Sequence, residues 1–400
     1  MAERRNNGDG TIYEYNGRWH AAIQVGVKPD GGPMLKKFSA KTEREVRIKL
    51  RKFKQQQDLF VESPNSGKTT VKQYFEHWLY DYKIHQLKEQ SFDRLESVVK
   101  NHIINEIGVL QFGSVKQSDI QNLINKKQKD GLSYSTIKKI YDALRACYTY
   151  DYNKGPYERV CSNIPVYNIV FDKSVIKSKK VVQSFTEEEI EKIKNEIYAT
   201  HKTGRRKYIY GEAYLLILNT GLRAGEILGL RKSINPNSRK IYIGQTLITT
   251  KARNDDGKID STQKIKQTKL TKGAKNKSSN RWIYLNDNAV KYVTALKSLP
   301  RKKDCTALVV NKDGEQVTVQ AFIRQFDTIL KNAGIIDEKG SKRGVHALRH
   351  TFATNMFKSG INVKIISKTL GHSSVKITYD TYIHVIESLE AEAMSTIPNV

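Results

Sequence analysis

Near the N-terminus the period of the apolar residues changes from that of a strand to that of a helix, and that change limits the fold more than any other feature. Near the N-terminus apolar and polar residues alternate: Thr11-Ile12-Tyr13-Glu14-Tyr15 and Arg18-Trp19-His20-Ala21-Ala22-Ile23-Gln24-Val25 flank Asn16-Gly17, a dipeptide suited to a two-residue turn with positive φ at both positions. A hairpin is predicted there. A third strand is expected from Met34 to Ser39, after the turn-forming Lys28-Pro29-Asp30-Gly31-Gly32-Pro33. A helix then opens at Thr42-x-x-Glu45, with Val46, Leu50 and Phe53 on one face and Arg and Lys on the other. Beyond residue 69 the spacing is helical: Val71, Tyr74, Phe75, Trp78, Leu79 and Tyr82, then Ile120, Leu123 and Ile124, then Ile137, Ile140, Tyr141 and Leu144. Such stripes build a core, and on spacing alone they describe a four-helix domain.

Two seams divide the chain. Glu62-Ser63-Pro64-Asn65-Ser66-Gly67-Lys68 is the first, and the basic run from Lys173 to Lys180 is the second. After it, Phe185-Thr186-Glu187-Glu188-Glu189 has the form of a capping-box helix start. The expected fold class is α+β and mostly helical: a small three-stranded sheet plus helix in 1–65, a helical domain in 69–172, and a third domain over 183–400 that mixes long helices with a strand-rich insert from Ile241 to Leu285. In that insert Lys264, Lys266, Lys269, Lys272, Lys275, Lys277 and Arg281 follow one another with no acid between them. A run of this kind is ordinarily a solvated loop, but it also suits a hairpin that enters a DNA groove. The N-terminal sheet, with Arg18 and Trp19 as candidate contacts, could present an open face to a groove, or serve as a charged oligomerisation module.

The formal net charge is +28 over 400 residues, with a sequence pI of about 9.7. A field of that sign draws in polyanions and makes binding steeply salt-dependent. RNA or an anionic membrane surface would use the same charge. No apolar run is long enough to span a bilayer and the opening residues, Met1-Ala2-Glu3-Arg4-Arg5-Asn6-Asn7, do not read as a signal peptide, so a cytoplasmic location is expected. Cys147, Cys161 and Cys305 are odd in number, scattered and without metal-type spacing, which suits a reducing compartment.

The residues with chemistry to offer lie in the last third. Thr220-Gly221-Leu222-Arg223 is followed far downstream by His346-Ala347-Leu348-Arg349-His350, Leu370-Gly371-His372 and Tyr382-Ile383-His384. A phosphodiester carries one negative charge and gathers another as a nucleophile adds, and the guanidinium fork matches two of its oxygens. A tyrosine hydroxyl can be the nucleophile if a neighbour takes its proton, and histidine can do so. His346 and Arg349 stand three apart, on one face of a helix. Arg223 falls at a helix start, where free N–H groups add to anion binding, although it could equally do no more than pair with Glu226. A lysine beside such a cationic pocket is a plausible acid for the leaving oxygen. Each fragment alone is weak: a His-x-x-Arg is ordinarily a solvated face, and Leu-Gly-His a helix C-cap. Their conjunction in order carries the reading. His346 and His350 could be read as a metal pair, but no His-Glu-x-x-His glutamate is present and an arginine lies between them, so no metal is assigned.

Arg223, His346-x-x-Arg349, Leu-Gly-His372 and Tyr382 together resemble the signature of the tyrosine recombinase (phage integrase) family. The resemblance implies that Tyr382 attacks and forms a 3′-phosphotyrosine, that Arg223 and Arg349 hold the scissile phosphate, that His346 assists proton transfer, and that His372 binds a non-bridging oxygen. Tyr379 competes as nucleophile, and the Tyr-x-His ending favours Tyr382. The family lysine lies in a β-hairpin that Ala274-Lys275-Asn276-Lys277-Ser278-Ser279-Asn280-Arg281-Trp282-Ile283 resembles; Lys275 is the choice, with Lys272 and Lys277 open and Arg281 a further DNA contact. One departure is Arg231-Lys232-Ser233-Ile234, where the family commonly has an aspartate. The N-terminal segment resembles the arm-binding domains of integrases from conjugative transposons of Gram-positive bacteria, and 69–172 a core-binding domain. The implied enzyme cuts and rejoins double-stranded DNA without cofactor or metal to integrate and excise a mobile element, works as a homotetramer on two sites, and could use a directionality factor. The tail after Tyr382, with Ile386, Leu389 and Met394, would pack in cis or on a neighbouring subunit. A type IB topoisomerase and a non-enzymatic DNA-binding regulator are the alternatives.

Overall fold

Asn16 and Gly17 both take positive φ, 51° and 68°, the backbone that a two-residue hairpin turn demands of them. In this computed structural model the described residues are 11–27, 33–58, 69–154, 158–172, 183–260, 266–272, 280–335 and 343–395. They fall into two compact units, one of residues 1–178 with 255–258 and one of 179–254 with 259–400.

In the first unit β1 (Thr11–Tyr15), β2 (Arg18–Val27) and β3 (Pro33–Ala40) form an antiparallel sheet in chain order. Helix α1 (Glu43–Asp58) covers one face, its Glu45 amide donating to the Thr42 hydroxyl at 3.3 Å. Ala21, Ile23 and Ala40 pack on Val46 and Leu50, with Ile12, Trp19 and Phe38 at the margin. The two-residue period then assigns the other face. Tyr13 and His20 stand opposite each other there, as do Tyr15 and Arg18, and the Tyr13 ring stacks on His20 at 5.6 Å. The Phe53 side chain, expected on the core face of α1, lies outside the described residues.

Two long helical runs follow, α2 (71–86) and α3 (89–107), each passing through a π-helical stretch, Trp78–Lys83 and Val99–Ile104. With α4 (Gln117–Lys129) and α5 (Tyr134–Tyr152) they enclose a separate core in which Tyr74, Phe75, Trp78, Phe112 and Tyr148 are fully buried. Side chains of this size each contribute roughly 1.5–3 kcal/mol on burial. Two carboxylates are buried in the same domain: Asp151 accepts from the Tyr74 hydroxyl at 2.7 Å and from the backbone amides of Val160 and Cys161, and Glu96 accepts from the Tyr80 hydroxyl at 2.6 Å.

The second unit opens with α6 (Glu187–Ile197), whose first turn carries the Thr186–Glu189 capping box. Helix α7 (Glu212–Thr220) is apolar nearly all round and buried at every residue but Leu218 and Asn219, so it is the post on which the unit is built. It leads through a turn to the short α8 (Ala224–Gly229). The expected strand-rich insert is present as two ribbons: β4 (Lys240–Ile243) pairs with β7 (Arg281–Tyr284), and β5 (Gln245–Lys251) with β6 (Lys266–Lys272). Helices α9 (Asp287–Ser298), α10 (Val319–Asn332), α11 (Val345–Lys358), α12 (Val363–Leu370) and α13 (Val375–Ser395) complete it. Helix α13 departs from helical backbone at one residue, Tyr382, where φ is −115° and ψ 16°. No helix among the described residues is long and apolar enough to cross a membrane.

Candidate active site

Glycine at 221 makes the first half of the site possible. It ends α7 with φ of 66°, and a Cβ there would lie 2.5 Å from Phe352 Cδ1, so both the turn and its packing call for glycine. The chain reverses at once and Arg223 becomes the N-cap of α8. Glu226, one turn on, reaches back: it accepts from the Arg223 amide at 2.9 Å and from Arg223 Nη1 at 2.8 Å. The Arg223 side chain remains 37% exposed.

Arg281 lies elsewhere than a DNA contact would. It is buried, and its guanidinium donates to both Glu226 oxygens at 3.0 Å and to the Thr369 carbonyl at 2.6 Å. The reason is its register: it is the first residue of β7, on the inward face whose burial alternates along the strand, while Trp282 and Tyr284 point out. Burial acts to raise the Glu226 carboxyl, and the hydrogen bond and charge of Arg281, with the charge of Arg223, overcome it and hold the group at about 2.

Arg349, on α11, is buried and bound by carbonyls: Nη1 donates to Gly221 O and Nη2 to Leu370 O, both at 2.7 Å. Its Nη2 also lies 3.0 Å from His372 Nε2. A guanidinium only donates, so Nε2 accepts, and the His372 proton is on Nδ1, 2.8 Å from Thr378 Oγ1. Burial and then the charge of Arg223 press the Arg349 pKa down to about 9, which leaves it cationic at neutral pH. Burial, followed by Arg349 and Arg223, holds His346 and His372 at about 4, so both rings are neutral.

Tyr382 is buried on α13, its hydroxyl 2.8 Å from His350 Nδ1 and its ring 5.4 Å from Phe357. Burial pushes its pKa up to about 12 against the opposing charge of Arg349. Tyr379 is 45% exposed. His346 meets His350 edge-on at 4.6 Å. Thus one turn of α11 faces the arginines through His346 and the tyrosine through His350. Arg223, Arg349, His346, His372 and Tyr382 come together in this unit.

The remaining candidates are placed as follows. Lys275 and Lys277, with Lys264, lie outside the described residues. Lys272 closes β6 opposite Gln245. Arg18 is exposed at the hairpin, whereas Trp19 is turned toward α1 and partly buried on the sheet core. Three contributors are not marked as such by residue order. Glu226 reads there only as an ion-pair partner of Arg223, His350 only as half of a metal pair, and Thr378 has no role assigned. The spacing of His350 four residues from His346, and of Thr378 four residues before Tyr382, is the signal that could have found the last two. Among the described residues no group of three or more His, Cys, Asp or Glu is arranged to hold a metal ion.

Residues 183–388 match the phage integrase family, and residues 70–128 match the N-terminal SAM-like domain of phage integrases. The chain belongs to the phage integrase family, and so to the tyrosine recombinases, enzymes that cleave and rejoin DNA. It is 25% identical over 405 residues to a "Tyrosine recombinase XerC-like" protein of Caldanaerobacter subterraneus subsp. tengcongensis, a match that covers 97% of this chain and 98% of the other. An integrase of Saccharopolyspora erythraea is 20% identical, over 96% of this chain and 95% of that one. The Tn1549 transposon integrase, solved with a circular intermediate DNA, superposes with a TM-score of 0.60 at 22% identity, over 82% of this chain and 100% of that chain. A lambda integrase tetramer bound to a Holliday junction gives 0.57 at 15% identity, over 95% of this chain and 96% of that one. These structures share the fold, and this chain is a site-specific recombinase.

Proposed function

We propose that this recombinase integrates and excises a mobile element through a 3′-phosphotyrosine link at Tyr382. The observation that carries the reading is the convergence of two arginines, two neutral histidines and a buried tyrosine in one unit. Arg223 and Arg349 grip the non-bridging oxygens of the scissile phosphate. His346 faces the same charges and assists proton transfer, and His372 turns its Nε2 from Arg349 to a phosphate oxygen once it is protonated. The acid for the 5′ oxygen comes from the basic stretch that begins at the end of β6 and leads to β7, with Lys275 first choice and Lys272 and Lys277 the alternatives. The phosphotyrosine conserves the bond energy for religation, so neither metal nor nucleotide is required.

In this reading residues 1–65 bind arm-type DNA, 69–172 bind core sites and 183–400 catalyse. The open sheet face, with Tyr13, Tyr15, Arg18 and His20, meets the arm DNA, and Trp19 supports it from behind. Four subunits on two duplexes form the working assembly, in the cytoplasm and at the nucleoid. The relatives solved on a circular intermediate and on a Holliday junction support that picture. The test is a denaturing gel for covalent protein–DNA adduct, in EDTA, on nicked duplexes from the element's ends. Wild-type protein should give the adduct and Tyr382→Phe should bind DNA without it. An adduct in Tyr382→Phe would move the nucleophile to Tyr379.

A further inference from the structure

The Tyr382 hydroxyl shares one hydrogen bond among the described residues, with His350 Nδ1 at 2.8 Å, and the two rings are 5.5 Å apart. His350 is buried on α11, directly after Arg349. We propose that His350 orients the Tyr382 hydroxyl and receives its proton as the tyrosine–phosphorus bond forms. This rests on the phosphotyrosine reading given above.

Geometry comes first. A phenol has one proton and two lone pairs, so a proton committed to His350 leaves a lone pair free to address phosphorus. His346 cannot do this from its present position, since it meets His350 edge-on and is the histidine that answers to the Arg223 and Arg349 charges. The surroundings then keep the His350 ring neutral, and with its proton on Nε2 the Nδ1 facing Tyr382 is an acceptor. His346 and Arg349 from its own helix, His372 from the turn after α12, and Tyr382 and His384 from α13 face it, and burial followed by the histidine and arginine neighbours holds its pKa at about 3. With Tyr382 near 12, the proton stays on the tyrosine in the free protein. As oxygen bonds to phosphorus its proton becomes strongly acidic, and even a weakly basic imidazole can take it. The balance is then complete: the Oη–P bond forms, the O–H bond breaks toward Nδ1, the P–O5′ bond breaks, and the 5′ oxygen takes a proton from the lysine acid of the basic segment. In religation the imidazolium returns its proton to Oη.

Adduct formation on the nicked duplex, with wild type and Tyr382→Phe as references, tests this. An adduct confined to the wild type upholds the underlying reading independently of His350. His350→Phe keeps the volume and removes the acceptor, and should bind DNA as the wild type does while forming adduct at least roughly a hundredfold more slowly. Should it fail to fold, a second pair decides. His350→Asn sets an amide oxygen where Nδ1 lies and His350→Gln sets it where Nε2 lies, so Asn should exceed Gln by at least about tenfold. In the Gln variant the rate should also climb with pH between 7 and 10, as hydroxide replaces the missing acceptor, a slope that a merely structural defect would not produce. Wild-type rates in His350→Phe, or equal rates and flat pH profiles in Asn and Gln, overturn the proposal.

Discussion

Replacing Arg281 with methionine removes the guanidinium that bridges Glu226 and the Thr369 carbonyl while keeping most of the side chain's bulk. The hydrogen bonds to Thr369 and Glu226, at 2.6, 3.0 and 3.0 Å, disappear, and among the described residues Glu226 keeps its ion pair with Arg223. Breaking one side of a buried pair costs about 3–5 kcal/mol. A second route gives a similar size: the Glu226 carboxyl, held at about 2 against an ordinary 4.5, represents about 3 kcal/mol of preference for the charged form in the folded state. The sign follows. Because the folded pKa is depressed, this stabilisation is present above pH 4.5 and is lost as pH falls toward 2. Calorimetry at pH 7 should therefore show the second unit of Arg281→Met melting lower by roughly 6–20 °C. The difference in stability between variant and wild type should narrow as pH falls from 4.5 toward 2. DNA binding supplies an independent arm: an arginine that neutralises a phosphate takes about one unit of salt slope with it when replaced, and a buried Arg281 should leave that slope unchanged. A variant that melts within about 1 kcal/mol of the wild type and binds DNA with about one unit less salt slope would return Arg281 to the DNA and refute the ion-pair argument.

Three further outcomes are expected. The depressed histidines His346, His350 and His372 accept protons in the unfolded chain before the folded one. The second unit should thus hold full stability above about pH 6.5 and lose several kcal/mol, as a rough total, toward pH 4; a melting temperature flat across that range would contradict the burial of these rings. Arg18→Ala should weaken binding to arm-type duplex and lower its salt dependence with the N-terminal sheet intact by circular dichroism, whereas Trp19→Ala should unfold that sheet, at a cost of about 3 kcal/mol or more; the reverse pattern would exchange the two faces. Deleting residues 1–65 should abolish recombination and spare adduct formation on a core site, and a truncated protein that recombines normally would remove the arm-binding role.

Much of this architecture could be read from residue order, because the signals are local. Asn16-Gly17 and the alternating residues around it define β1 and β2, and Thr42-x-x-Glu45 marks the start of α1 within a residue. Thr186 and Glu189 cap α6 as expected. The parts that residue order hides depend on pairings between positions far apart in sequence. Arg281 belongs to a lysine-rich run and its charge says DNA; only the pairing of β7 with β4 turns its side chain inward to a glutamate 55 positions away. Trp19 is likewise an aromatic beside a basic residue until the pleat assigns it to the α1 side. The π-helical stretches in α2 and α3 are not anticipated from the apolar spacing, which is matched only to an α-helical period.

The two arginine clusters have a joint consequence. Arg223, Arg281 and Arg349 supply three positive charges and Glu226 one negative, while the histidines around them are neutral, so the described part of the cluster holds a surplus of two. A resting phosphodiester would neutralise one of them, and the five-coordinate phosphorus reached as Tyr382 adds would neutralise both. The proton that Tyr382 gives up stays on His350 in the proposal above, so the total charge is unchanged and only its placement shifts: a second negative charge gathers among the arginines, which attract the species in transit more strongly than the intact strand.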